Sequence, residues 1–132
     1  MKKSVKFESF KGWWVLCFTM IISGNILAQQ CSDIFFSEYI EGSSNNKVLE
    51  VFNPTPSTID ISNYTFIRQA NGGNVYDYTY TGTIDPGGVY IIANSGANQT
   101  ILDLADTTSS LCWYNGDDGL AIVVTATGDT ID

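Results

Sequence analysis

Residues 36–66 read FSEYIEGSSNNKVLEVFNPTPSTIDISNYTF, and this stretch decides the fold class. It contains two runs rich in β-branched and aromatic residues, within Ile34 to Ile40 and Lys47 to Asn53, separated by a polar turn from Gly42 to Asn46. Short runs of that composition bounded by Gly and Asn read as strands. Side chains alternate across a strand, so Leu49 and Val51 share one face while Val48, Glu50 and Phe52 share the other. Glu50 is thereby set on a partly apolar surface. Tyr64, Phe66 and Arg68 alternate in the same way with Thr65 and Ile67. Both faces of several strands are moderately apolar, the pattern of a sandwich whose outer surface meets a neighbour.

The same pattern continues downstream. Tyr64 to Gln69, Val75 to Thr81, Val89 to Asn94 and Leu120 to Val124 are further strand-like runs. Between them lie Asn53-Pro54, Asn71-Gly72-Gly73, Asp85-Pro86-Gly87-Gly88 and Asn115-Gly116-Asp117-Asp118-Gly119, where Gly and Asn tolerate positive φ and Pro presets the first turn position. No helical period extends far enough for a long helix, and Thr100 to Thr107 is expected to form a turn or two. Of the strand residues, Leu49, Val51, Phe66, Ile91 and Ile122 are expected to be largely buried.

The order and spacing of these motifs carry a resemblance. Ser37-Glu38-Tyr39, the Gly42 to Lys47 turn, Leu49-Glu50-Val51-Phe52-Asn53, Ile59-Asp60-Ile61-Ser62-Asn63-Tyr64, Ile84 to Asn94 and Tyr114 to Ile122 together resemble the lamin tail domain family, in the version found in secreted bacterial proteins. The resemblance covers nearly everything after residue 28. It implies an all-β, immunoglobulin-like β-sandwich used as an accessory module, attached to nuclear filament proteins in animals and to secreted nucleases, other hydrolases or surface proteins in bacteria. A family used so variously fixes fold better than function.

Residues 1–28 read as a secretory signal peptide. Lys2, Lys3, Lys6 and Lys11 make a basic beginning, Trp13 to Ile22 is apolar, and Ile26-Leu27-Ala28 offers a small residue for cleavage. The apolar run breaks at Ser23-Gly24-Asn25, short of the roughly 20 residues a membrane helix needs. The expectation is export to the cell surface or beyond, with no membrane association after cleavage. Residues 29–132 then form a single sandwich domain, long enough for one core but not two. At the carboxyl end, Gly128 to Asp132 reads as a turn followed by the opening of another strand, so the sandwich is expected to lack part of its last strand, as a truncated chain would.

Removing the leader leaves Lys47 and Arg68 against thirteen carboxylates, a net charge of −11. Such a surface repels phosphate backbones, and binding nucleic acid needs clustered Lys and Arg to displace counterions, so no direct nucleic-acid contact is expected. Chemistry is limited further. The chain has no histidine, which removes a Ser-His-Asp triad, a His-activated cysteine and the usual zinc sites. No catalytic residue is assigned, and the chain is not expected to be an enzyme.

Two sets of candidate site residues remain. Asp117 and Asp118, in a glycine turn, suit calcium, with Glu38, Glu41 or Glu50 as completing ligands from other turns; as a plain turn before Leu120 they need no metal, and no cofactor is expected to be required by the fold. Cys31 and Cys112 would share an oxidising compartment where a single bridge could form, tying the amino terminus to a late connection. Without it they are two free thiols. The function expected is a non-catalytic interaction or adhesion module of an exported protein, with a protein, a glycan or a neighbouring domain as partner. The alternative is the accessory domain of a secreted nuclease or other hydrolase whose catalytic part lies beyond residue 132.

Overall fold

The structure, a computed structural model, describes residues 31–132; the signal peptide expected over residues 1–28 lies outside them. Nine strands form the framework: β1 (Phe35–Glu41), β2 (Lys47–Phe52), β3 (Ile59–Asp60), β4 (Tyr64–Gln69), β5 (Val75–Tyr78), β6 (Thr83–Ile84), β7 (Val89–Ala93), β8 (Thr107–Thr108) and β9 (Gly119–Val124), with one helical turn, α1 (Gln99–Leu102). A four-stranded sheet in the order β1-β2-β7-β8 faces a three-stranded sheet in the order β5-β4-β9, and β3 pairs with β6 as a small ribbon. All pairings are antiparallel except β7 with β8. This is an all-β, immunoglobulin-like sandwich, and the six strand-like runs in the sequence each become a strand.

The core lies between the two sheets. Leu49 and Val51 from β2 and Ile92 from β7 are fully buried against Phe66 of β4 and Ile122 of β9. Burying a side chain of this size contributes about 1.5–3 kcal/mol. Phe36 of β1 meets Phe66 edge-on across the sandwich, ring centroids 6.0 Å apart, and Phe66 in turn meets Tyr80 at 5.2 Å. Edge-to-face contact of this kind places the positive ring edge on a negative ring face.

Two details of register set which side chains face out. In β1 the pairing shifts between Phe36 and Glu38, a bulge at Ser37. The extra residue puts Phe36 and Tyr39 opposite the buried Val51 and Leu49, while Glu38 and Ile40 fall opposite Glu50 and Val48. In β7 the inward residues are Tyr90 and Ile92; Ile91, expected in the core, instead lies on the outer face and is only half-buried. Val89-Tyr90-Ile91-Ile92-Ala93 is apolar throughout, so its composition carries no phase, and its pairing with β2 decides which residues turn inward.

The turns follow their chemistry. Asn71 and Gly72 both have positive φ, at 48° and 64°, and join β4 to β5 as the tight Asn-Gly hairpin whose twist matches that of the strands. Asn53, wholly buried, donates from Nδ2 to the carbonyls of Ser57 and Ile84, each at 2.8 Å, and accepts from the Thr55 amide at 2.9 Å. Its neighbour Pro54 cannot continue the ladder, so the side chain supplies the hydrogen bonds that stitch this corner together. After β9 the chain turns back on itself: the Ile131 amide donates to the Ile122 carbonyl at 2.9 Å, the Ile122 amide donates to the Asp132 carbonyl at 2.8 Å, Val123 bridges to Thr130, and the Asp132 carboxylate accepts from the Phe36 amide at 2.8 Å. The turn expected from Gly128 is present, and the residues after it pair along β9.

Candidate functional site

The outer face of the four-stranded sheet is the surface that the fold leaves unusually apolar. Outward alternation places Ile40 of β1 opposite Val48 of β2, and in the next outward row Glu38 of β1 and Ile91 of β7 flank Glu50 of β2. The connection carrying α1 folds over one side and adds Ile101 and Leu104, making a groove of about 230 Å³ whose rim also includes Glu38 and Glu50. Leu104 is 67% and Ile40 43% exposed. Isolated exposed apolar residues are ordinary; here several line one groove.

The electrostatics of this groove are unusual. Glu38 and Glu50 are direct cross-strand partners, and like charges directly opposite each other are destabilising in a sheet. Glu50 accepts from the Ser37 hydroxyl at 2.7 Å, but no cation of the described residues reaches either carboxylate. Both described side-chain cations are engaged elsewhere. Lys47 pairs with Glu41 at 3.2 Å, and Arg68 pairs with Asp118 at 3.1 Å.

Those two ion pairs engage two of the acidic residues considered as metal ligands, Glu41 and Asp118. Asp118, its side chain wholly out of solvent, accepts from the Asn71 amide at 2.9 Å as well as from Arg68. Asp117 lies against the Asn71 side-chain amide, whose nitrogen, oriented toward it, donates to both carboxylate oxygens at 2.9 Å. The turn therefore brings Asp117 and Asp118 to the β4–β5 hairpin, with Glu41 beside the same turn near Gly116. Glu41 is held by Lys47 and by the Tyr39 hydroxyl at 3.0 Å, while Glu38 and Glu50 lie on the outer face. Among the described residues no three of Asp, Glu, Cys and His come together as a metal-holding group. No helix there is long and apolar enough to cross a membrane.

With this geometry in hand, comparison with known families is direct: the model of the lamin tail domain family matches residues 28–132. The chain belongs to the lamin tail domain family. No curated protein matches it. The resemblance carried by the strand and turn motifs is thereby established, and a lamin tail domain is an immunoglobulin-like module, in agreement with the sandwich described above.

In the structure of this lamin tail domain Cys31 and Cys112, the pair considered for a bridge, are not joined. Both thiols are free, Cys31 exposed and Cys112 wholly buried. Cys112 donates its thiol hydrogen toward the Ile92 carbonyl at 3.2 Å, and burial pushes the thiol up to about 12. The thiolate is the reactive form, so Cys112 is inert while the fold is intact. A maleimide added to native residues 29–132, which lack Cys17 of the leader, is expected to modify Cys31 alone, with Cys112 reacting only in denaturant; mass spectrometry counts the adducts, and a segment that takes up none in denaturant without reductant contains the bridge after all.

Sequence reasoning flagged Glu50 on an apolar surface but missed the groove. Its partner Glu38 enters the site through the bulge at Ser37, and Ile91 through the phase of β7. Ile101 and Leu104 come from a connection with no strand or helix period. Only the unusual placement of Glu50 was visible beforehand.

Proposed function

We propose that the chain is a non-catalytic interaction module of an exported protein, and that its outer sheet face docks a protein segment presenting a lysine or arginine among apolar side chains. The observation that carries this is the Glu38–Glu50 pair, unneutralised within an apolar groove. A cation seated between the two carboxylates would relieve their repulsion, and apolar neighbours would cover Ile40, Ile91 and Leu104. A second copy of this domain fits poorly, because its described cations are already paired within the fold. Export is supported by the basic and apolar character of residues 1–28, and the lack of histidine removes the commonest hydrolytic machinery.

The reading predicts a variant that gains stability while losing binding. Glu38→Lys replaces the like-charge pair by an opposite one, expected to stabilise the isolated domain by about 0.5 kcal/mol in chemical denaturation. The same variant should lose a short peptide alternating valine with arginine, followed through amide chemical shifts at Ile40, Val48, Glu50, Ile91 and Leu104. A glutamate-for-arginine version of the peptide should leave wild-type shifts in place. Equal binding of both peptides, or shifts away from these residues, would remove the reading.

A further inference from the structure

We propose that a second site, a shallow cleft beside Trp113, binds a neutral carbohydrate, with a pyranose ring stacked on the indole and its hydroxyls met by the side chains of Asn45, Ser44, Ser95 and Asn115. The cleft, of about 480 Å³, is also lined by Lys47, Asn94 and Gly96, a volume within the range of small-molecule sites. It shares no lining residue with the outer-face groove and stands independently of it.

Trp113 is the first observation. It is 57% exposed, yet the residues on either side of it, Cys112 and Tyr114, are wholly buried. The backbone here is pinned from several directions. Asn94 Nδ2 donates to the Cys112 carbonyl at 3.0 Å, Lys47 Nζ donates to the Tyr114 carbonyl, and the Tyr114 hydroxyl lies 2.7 and 2.9 Å from the Ile40 and Val48 carbonyls. A large aromatic is therefore displayed from a rigid support, although burying it would be the favourable course for an indole with no other role. Pre-positioning of this kind lowers the ordering cost of binding.

The facing wall is equally fixed. Asn46 Oδ1 accepts from the Asn98 amide at 2.9 Å, clamping the turn between β1 and β2 onto the loop after β7. Gly96 lies so close beneath this turn that a Cβ there would stand 2.6 Å from Asn45 Nδ2. The absence of a side chain at residue 96 is what lets the Asn45 amide lie along the cleft.

The polar groups of the cleft are mostly spare. Among the described residues the Asn45 amide and the Ser44 and Ser95 hydroxyls make no side-chain hydrogen bond, and Asn115 uses only Oδ1, toward Lys47 at 3.3 Å, leaving its Nδ2 donor open. Amides donate and accept side by side, the pattern that adjacent sugar hydroxyls match. The one charge lining the cleft, Lys47, is buried and held by Glu41, so the lining offers no free ion to an acidic or basic ligand. An apolar platform beside uncharged donors and acceptors fits a molecule with one C–H face and a rim of hydroxyls.

Trp113 also provides the readout, because the other tryptophans, Trp13 and Trp14, lie in the leader. Residues 29–132 contain the whole of the described core, so indole emission from that segment reports this cleft alone. The probes are neutral hexasaccharides of glucose, mannose, xylose and N-acetylglucosamine, in β-1,3 and β-1,4 linkages where both exist. At least one is expected to change the emission saturably. By calorimetry with that sugar, Trp113→Ala should weaken binding at least about tenfold and Asn45→Ala about fivefold, while Glu38→Lys leaves it unchanged. Trp113 lies at the surface, so its alanine variant should unfold at nearly the wild-type temperature. If no probe changes the emission of folded protein, or if binding survives Trp113→Ala, the site is not a carbohydrate site.

Discussion

Asp118→Ala is expected to destabilise the domain by about 3–5 kcal/mol, the cost of leaving a buried charge without its partner. The Arg68 guanidinium, with its side chain only 10% exposed, would keep its burial and lose the carboxylate at 3.1 Å; its Nε already lacks a hydrogen-bond partner. The Tyr76 ring, 4.9 Å from the guanidinium carbon, would remain but cannot neutralise it. The Asn71 amide at the tip of the β4–β5 hairpin would lose its acceptor as well. Against a usual total of about 5–15 kcal/mol, this is enough to populate the unfolded state measurably. Urea denaturation of both proteins at neutral pH measures the difference, and a loss under about 1 kcal/mol would show the pair to be dispensable.

The same carboxylate gives a pH signature. The Asn71 amide, with Arg68 beside it, holds Asp118 below its ordinary value near 3.8. The unfolded chain then takes up this proton more readily than the native one, so the stabilisation is complete above the ordinary value and is lost as the pH falls through the lower, folded value. Wild type and Asp118→Asn are therefore expected to differ most at neutral pH and to converge on acidification. Parallel stability curves down to the acid transition would mean that another group dominates it.

Tyr114→Ala is expected to cost a further large amount, about 3–5 kcal/mol, by emptying the site of a wholly buried aromatic. Tyr114→Phe separates the two roles of this residue. It keeps the packing but withdraws the hydroxyl from the Ile40 and Val48 carbonyls, which it joins across β1 and β2, and should cost about 1–3 kcal/mol. Because β1 is an edge strand of its sheet, the Phe variant should also speed amide exchange in β1 more than in β4. Uniformly faster exchange across both sheets would instead indicate a global loss of stability.

How much of this was legible beforehand differs between the framework and the sites. Local composition placed the six longer strands, because β-branched runs and Gly, Asn and Pro turns act over a few residues. The two-residue strands β3, β6 and β8 carried no such signal; they exist because longer strands bring their backbones alongside one another. The alternation in β2 and β4 set Leu49, Val51 and Phe66 inward. In β7, apolar on both faces, it could not choose between Ile91 and Ile92.

The sites depended on contacts that local sequence does not contain. The Asn115 to Gly119 turn was readable as a turn, and its aspartates as oxygen donors, but Arg68 reaches Asp118 only because β4 and β9 are paired, which brings together residues 50 apart in the chain. Glu38 meets Glu50 because a bulge shifts β1 by one residue. Sequence alone thus determined the strand periods, the turns, the family and the acidic balance, all properties of neighbouring residues or of composition. Tertiary structure alone decided which carboxylates are neutralised, which cysteine is sealed away and which aromatic remains in solvent, since charge pairing and burial are set by residues that only the folded chain brings within a few ångströms.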